Sequence, residues 1–232
     1  QQLAKASQLA LQGEPAAFAE LKNSREQFNN LLNAVTNGGD VEGSSVPGGS
    51  SAVTDELAAV TELWQKTDKD AGSLIEQEKN LASLGKAVNT INTKNPQLLE
   101  LSEQVAALKL QGGASAREIA VANQVVMLTQ RIAKNANALV GDEVDSDVAF
   151  LLGKDTATFR DIVNGLLQGS DALRVSAIRD GEARQTLTEL GSRFQETEKR
   201  LVEVLRAMPR LLAGKQAAKV ITVEAEPLMA DR

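Results

Sequence analysis

The sequence predicts an all-α protein of tandem helical modules that form elongated four-helix bundles, and three observations lead to this class. Residues that favour helices, above all Ala, Leu, Glu, Gln and Lys, dominate the chain, whereas aromatic residues make up only 3% of it. Apolar side chains recur at spacings of three and four residues through most of the length. The chain also resembles itself at a shift of about 130 residues.

The first part of the chain predicts two helices and a loop. An apolar stripe at helical spacing runs from Leu3 to the Gly-Glu-Pro break at residues 13–15, and a second stripe continues to Val35. Asn-Gly-Gly at residues 37–39 ends the second helix. Residues 38–52 combine glycine, serine and proline with very few apolar side chains, so they are expected to form an exposed loop.

The middle of the chain predicts one long helix and one short one. Apolar positions between residues 54 and 93 fall at helical spacing without an obvious break. Asn95 then precedes Pro96, a pair typical of an N-cap followed by the first helical residue, so a new helix is expected there, reaching Leu110.

The remaining sequence predicts three more helices. Ser115 and Glu118 form a capping-box pattern that opens the first of them, which Gly-Asp at residues 141–142 closes. The second covers about residues 144–167, and the third begins after Asp-Gly at residues 180–181. Pro209 is expected to bend or interrupt this last helix, and Pro227 to limit its far end.

An internal repeat divides the chain into two predicted modules, residues 1–112 and 113–232, the first of them truncated at its N-terminus. The matched segments keep their order along the chain, and they include aromatic, asparagine and glycine positions. They pair residues 1–5 with 130–134, 28–33 with 159–164, 38–40 with 169–171, 57–67 with 187–197, and 85–86 with 214–215. Two copies of one helical module are therefore predicted, and the shared aromatic positions are expected to be core residues.

The composition excludes most enzyme chemistries. The chain contains no His, Cys or Tyr, so it lacks the usual general base at neutral pH, a thiol nucleophile and the soft ligands of structural metals. No local cluster of carboxylates replaces them, and we predict a protein that is not an enzyme and holds neither metal nor cofactor. The net charge of −6 also argues against binding to nucleic acid, whose phosphates attract basic surfaces.

One stretch resembles a known family. Residues 127–135 read Met-Leu-Thr-Gln-Arg-Ile-Ala-Lys-Asn, which is similar to the signature helix of the PilJ-type sensory domain, Arg-Met-Leu-Ser-Gln-Arg-Ile-Ala-Lys. Residues 1–5 resemble the tail of the same signature, with Gln2 where the family usually has Arg. PilJ-type domains are the extracytoplasmic modules of type IV pilus methyl-accepting chemotaxis proteins, and tandem copies are typical of them.

The resemblance implies a function and a location. The chain would be the periplasmic sensory domain of an inner-membrane receptor, with one membrane helix running into Gln1 and a second following Arg232. Pilin or another pilus component would provide the input. A cytoplasmic histidine kinase and its coupling protein would receive the output and control twitching motility. The resemblance also implies a homodimer.

Four polar residues of the signature helix are the candidates for ligand binding or for a dimer interface: Gln130, Arg131, Lys134 and Asn135. In related nitrate and nitrite sensor kinases, an Arg just before the signature Met contacts the anion across a dimer interface, and this chain has Val126 there. Without that guanidinium, a small-anion sensor is an alternative with less support. A structural interpretation also stays open, with Arg131 and Lys134 on a solvated face and Asn135 setting the helix register.

A different class of function also agrees with the composition. A helical scaffold or adaptor would present amphipathic faces to partner helices without switching between states. Apolar membrane spans on both sides of this segment in the encoding sequence would favour the receptor over the adaptor.

Overall fold

A computed structural model describes residues 2–41, 43–49, 53–141 and 146–225, with side chains described up to residue 223. Within these residues the chain forms seven α-helices and one two-stranded antiparallel hairpin, which confirms the predicted all-α class. In chain order the elements are α1 (Gln2–Leu11), α2 (Pro15–Asn37), β1 (Gly39–Val41), β2 (Ser44–Val46), α3 (Thr54–Glu76), α4 (Glu78–Gln111), α5 (Ala116–Ala138), α6 (Ser146–Gln168) and α7 (Gly181–Ala225). No described helix is both long and apolar enough to cross a membrane.

Several helix ends follow the predicted signals. Pro15 is the first residue of α2, where its missing N–H costs nothing. Gly38 follows the last residue of α2 at φ 80°, and its N–H donates to the carbonyl of Ala34 at 2.8 Å. Gly169 follows α6 at φ 88°, and its N–H donates to the carbonyl of Gly165, also at 2.8 Å. Glycine suits both positions because it adopts positive φ without steric cost.

The loop expected at residues 38–52 was wrong in part. Residues Gly39–Val41 pair with Ser44–Val46 in an antiparallel register, and Gly43 at φ 82° lies in the connecting turn. Strands of three residues are too short to show an alternation of apolar and polar side chains. The glycines and serines of this segment therefore indicated only a turn.

The helix boundaries around residues 77 and 96 also differ from the prediction. The long helix expected over residues 54–93 is divided at Gln77, whose N–H donates to the carbonyl of Leu74, three residues earlier. Pro96 does not start a helix but lies inside α4, which continues through it. Packing of α4 against its neighbours sustains the helix there, although proline cannot donate to the carbonyl of Asn92.

The last helix is not interrupted at its proline. Pro209 lies inside α7, which continues to Ala225, and the bend that was the other expectation for Pro209 stays a prediction. Pro227, which was expected to limit this helix, lies outside the described residues.

The chain forms two compact units. Unit 1 comprises Gln1–Ser83 and Pro209–Arg232, and unit 2 comprises Leu84–Met208. Their boundaries lie within α4 and α7, so each of these two helices contributes residues to both units. The modules predicted from the repeat, residues 1–112 and 113–232, divide the sequence differently and stay a prediction.

Unit 2 packs four helical segments around an apolar core. The part of α4 in this unit contacts α5 through Ser102 and Thr129, whose hydroxyl oxygens lie 3.3 Å apart in the interior. Helices α6 and α7 meet through the stacked rings of Phe159 and Phe194, with centroids 4.0 Å apart. The core also contains large side chains that are at most 2% exposed: Leu128, Ile132, Leu152, Ile162, Leu166 and Leu187. Removing such side chains from water drives folding and fixes the position of α5.

Unit 1 has a smaller core that forms between its early helices and the end of α7. Phe18, Leu21, Leu74 and Leu81 are buried there. Gly214 on α7 lies close to the start of α4, because a Cβ atom built on it would meet Cγ of Gln77, just before α4, at 3.2 Å and Cδ1 of Leu81, in α4, at 3.7 Å. A glycine at this position therefore permits the close approach of the two helices within the unit.

Candidate functional site

The signature helix is the central part of α5, and a complete capping box fixes where α5 begins. The Ser115 hydroxyl accepts a hydrogen bond from the Glu118 N–H, and the Glu118 carboxylate accepts one from the Ser115 N–H at 3.0 Å. That backbone hydrogen bond and one from the Ser115 hydroxyl hold the pKa of Glu118 below its usual range. Lys109 adds an ion pair to the same carboxylate at 3.3 Å. The start of α5 is therefore tied to the end of α4.

Arg131 pairs with a buried carboxylate on the next helix. Its Nε and Nη2 donate to the two oxygens of Asp155 on α6 at 3.0 and 2.6 Å. The Asp155 side chain is only 3% exposed, whereas that of Arg131 is 44% exposed. A buried carboxylate needs a charged partner, and a bidentate guanidinium supplies both charge and geometry. Arg131 therefore joins α5 to α6 and is not simply a residue of a solvated face.

The other three candidates lie near Arg131 on α5 but differ in exposure. Gln130 and Lys134 are exposed, and Asn135 is half-buried. Met127, one helical turn before Arg131, is 47% exposed despite its apolar side chain. The signature helix thus presents a mixed polar and apolar surface, and whether this surface binds a ligand or a second subunit stays a prediction.

Asp155 is the site residue that the sequence reasoning missed. It lies on the buried face of α6 between Leu152 and Phe159, at the spacing of a core position. A charged residue on an apolar stripe is a detectable signal, because buried carboxylates are rare unless they are paired. In the first copy of the repeat, Gln2 and Ser24 stand at the positions of Arg131 and Asp155, so this ion pair belongs to the second copy alone.

The two copies of the repeat share a stacked aromatic pair. Phe28 on α2 stacks on Trp64 of α3 with ring centroids 4.0 Å apart and an interplanar angle of 28°. The matching pair, Phe159 and Phe194, has the same separation and an angle of 29°. The helices that carry the first residue of each pair, α2 and α6, are both 23 residues long. The aligned sequence positions therefore hold the same structural role in both copies.

The polar groups beside the aromatic pairs differ between the copies. In the first, Asp68 accepts two hydrogen bonds from Arg25 at 2.6 and 2.9 Å and one from Asn29 at 3.3 Å. The hydrogen bonds from Arg25 hold the pKa of Asp68 below its usual range. Asn29 also accepts the indole N–H of Trp64 at 2.6 Å. This network fixes the α2–α3 pair.

In the second copy an arginine takes the place of that asparagine. Arg160 aligns with Asn29, and Glu198 aligns with Asp68. Their side chains form one hydrogen-bonded ion pair, from Arg160 Nη1 to Glu198 Oε1, at 2.9 Å. Duplication thus kept the aromatic contact and changed the charges around it.

Comparison with known proteins finds a family and two relatives to which the chain is similar. Residues 1–90 match the family described as type IV pili methyl-accepting chemotaxis transducer, N-terminal. The chain is also similar to Protein PilJ of Pseudomonas aeruginosa, with 30% identity over 230 residues. The putative methyl-accepting chemotaxis protein AlkN of Alcanivorax borkumensis is 27% identical over 231 residues. Each alignment covers 99% of this chain and 33% of the relative, so the chain spans about a third of the length of these curated relatives.

Proposed function

We propose that this chain, whose residues 1–90 match the type IV pilus transducer family and which is similar to PilJ over 99% of its length, belongs to that family and is the periplasmic sensory domain of a pilus chemoreceptor. Its input would be pilin or pilus activity. Its output would pass through membrane helices to a histidine kinase and coupling protein that control twitching motility. The observation that carries the proposal is the similarity to PilJ over 99% of the chain.

The contacts between α4 and α7 in unit 2 support a switching role. Arg193 donates to the side chain of Gln97 at 2.9 Å, and Lys94 pairs with Glu196 at 3.2 Å. All of these contacts lie at the surface, where an ion pair contributes only about 0 to 1 kcal/mol. They can exchange partners at low cost, so a ligand that prefers one arrangement of α7 against α4 by a few kcal/mol can shift the population.

The polar contacts of the signature helix favour this proposal over a small-anion sensor. The guanidinium of Arg131 is already bound to Asp155, and Val126 offers no charge to an oxyanion. We propose that the exposed surface around Gln130 and Lys134 faces a second copy of the domain in the intact receptor.

A receptor chimaera tests the proposed function. The segment of a PilJ receptor that aligns with this chain is replaced by this chain in cells lacking that receptor, and twitching zones are measured. We expect the chimaera to restore regulated twitching, whereas a receptor with the segment deleted should not. A stable, membrane-inserted chimaera that leaves twitching as in the deletion would contradict the sensory role.

A second experiment measures the input directly. Soluble pilin that lacks its apolar N-terminal helix is titrated onto the immobilised domain, and an unrelated helical bundle of similar net charge serves as the control. Saturable binding to the domain alone supports pilin as the input. Equal binding to both proteins would show only nonspecific association.

A further inference from the structure

A groove lies on the surface of unit 2 between α6 and α7. Its volume is about 320 Å³, and its floor is apolar. The stacked rings of Phe159 and Phe194 lie beneath that floor together with Val163, since all three residues are at most 3% exposed, and Leu167 provides a more accessible apolar side chain. Binding sites for small molecules span roughly 300 to 1,000 Å³, so this groove suits a ligand near the small end of that range.

A glycine lines the groove on the α7 side. A Cβ atom at Gly191 would lie 3.3 Å from Cγ1 of Val163, which is a close contact, so any side chain there would press against α6. The first copy of the repeat has Thr61 at the aligned position. The close approach of α7 to Val163 is therefore a feature of the second copy.

One pair of opposite charges lines the groove. Among the described residues that line it, Arg160 and Glu198 carry the charges, and they bond to each other at 2.9 Å. The side chain of Arg160 is 50% exposed and that of Glu198 is 21% exposed. The Nε of Arg160 also lies 3.5 Å from the carboxylate of Asp161. Neutral polar groups provide the remaining hydrogen-bonding capacity, on Asn164, Ser192 and Gln195.

These charges select among ligand classes. A ligand with only a negative charge would draw Arg160 away and leave the half-buried carboxylate of Glu198 without its partner. A ligand with only a positive charge would draw Glu198 away from Arg160. A ligand that carries both charges can give each side chain a new partner, and its apolar part can cover the accessible apolar lining of the groove.

We propose that the α6–α7 groove binds a small zwitterion of the amino-acid class, an assignment that rests on the sensory function proposed above. The ligand's carboxylate pairs with Arg160, its ammonium group pairs with Glu198, and its side chain packs against Leu167. Asn164 and Gln195 then hydrogen-bond to the remaining polar atoms of the ligand. The bound ligand connects α6 to α7. Helix α7 is also the helix whose surface contacts with α4 can exchange.

The corresponding groove in unit 1 lacks this chemistry. It lies between α2 and α3 with a volume of about 390 Å³. Of its described lining residues, Glu62 carries a charge, and no arginine lines the groove beside it. The groove in unit 1 therefore provides a matched control for the one in unit 2.

Isothermal titration calorimetry on the 232-residue chain tests the proposal. The common L-amino acids are titrated one at a time, and leucine is compared with 3-methylbutylamine, which lacks the carboxylate, and with 4-methylpentanoate, which lacks the ammonium group. We expect at least one amino acid to bind and both of the singly charged analogues to bind more weakly. Glu198→Gln and Arg160→Gln should each weaken binding by about tenfold or more, the change equivalent to roughly 1.4 kcal/mol.

Two further variants place the ligand in the groove. Gly191→Val should abolish binding, because the added side chain would press against Val163 and change the shape of the groove, and Glu62→Gln in the other groove should leave binding unchanged. Far-UV circular dichroism and the melting temperature without ligand establish that each variant folds. If Gly191→Val does not fold, the Glu198→Gln and Arg160→Gln variants still test whether the ligand binds in the groove.

Three results would overturn the proposal. The first is a folded chain that binds no amino acid. The second is binding of either singly charged analogue as tightly as the amino acid. The third is a change of self-association, measured by sedimentation velocity, in the groove variants without any ligand effect, which would show that a second copy covers the groove. None of these results bears on the twitching chimaera, so failure of the ligand site and failure of the sensory function are distinguishable.

Discussion

Replacing Arg131 by Gln should destabilise unit 2 more than its exposed position indicates. The substitution removes two hydrogen bonds, of 3.0 and 2.6 Å, from a carboxylate that is only 3% exposed. Breaking a fully buried pair costs about 3 to 5 kcal/mol, and a hydrogen bond to a charged group contributes about 1.5 to 3 kcal/mol. Since 44% of the Arg131 side chain is exposed, water can reach part of the gap. We therefore expect the substitution to lower the free energy of unfolding by about 2 to 3 kcal/mol.

Urea unfolding near neutral pH, followed by far-UV circular dichroism, measures this loss. Lys134→Gln is the matched control, since it removes an exposed cation one turn further along the same helix and should change stability by less than about 0.5 kcal/mol. A double-mutant cycle with Asp155→Asn isolates the pair. With a neutral amide on α6, replacing Arg131 should cost much less than in the original protein.

Two outcomes would refute this reasoning. If Arg131→Gln were no more destabilising than Lys134→Gln, Asp155 would not depend on the guanidinium. If the cost of Arg131→Gln were the same with Asp155 and with Asn at that position, the interaction energy would be close to zero. In either case Arg131 would be free for the ligand role that the signature resemblance implies.

Acidification should destabilise the α2–α3 pair, because the pKa of Asp68 is lower in the folded protein than in the unfolded chain. The charged carboxylate therefore stabilises the fold above the unfolded-state pKa of about 3.9, and this stability is lost as the pH falls through the folded-state pKa. Trp64 fluorescence measures this in an acid titration, and Asp68→Asn should remove the dependence. In urea unfolding, Trp64→Phe should lower the free energy of unfolding by about 1 kcal/mol, because it loses the hydrogen bond to Asn29. Trp64→Ala should lower it by about 3 to 5 kcal/mol, because it also loses the stacked ring. Equal losses for the two variants would contradict the role of the aromatic ring. Ser115→Ala should cost about 1 kcal/mol and Ser115→Thr less, since threonine still caps, and equal losses would exclude a capping effect.

The sequence predicted the helices well where composition and end signals agreed. The capping box at Ser115, the glycine after Asn37 and the aromatic repeat all reappear in the structure. Each of them is a local feature whose physical cause lies within a few residues or in a repeated pattern. Local signals of this kind need little information about tertiary packing.

The errors arose where packing overrides local preference. Pro96 has a strong tendency to begin a helix, yet it lies inside α4. The break at Gln77 falls within continuous apolar spacing, so periodicity alone gave no sign of it. Asp155 was missed because its partner is 24 residues away, and only the tertiary structure brings the two together. The charge pair of Arg160 and Glu198 depends in the same way on the packing of α6 against α7.

The division of unit 1 into two chain segments has a consequence for the order of folding. Unit 2 is one continuous stretch, Leu84–Met208, so all of its residues are available before the ribosome has made the end of α7. Unit 1 needs residues from Pro209 onwards, which are synthesised only after unit 2 is complete. During synthesis, domains generally fold as units as soon as their residues emerge. Unit 2 can therefore fold first, while the apolar faces of α1, α2 and α3 wait for the last segment and depend until then on contacts with each other.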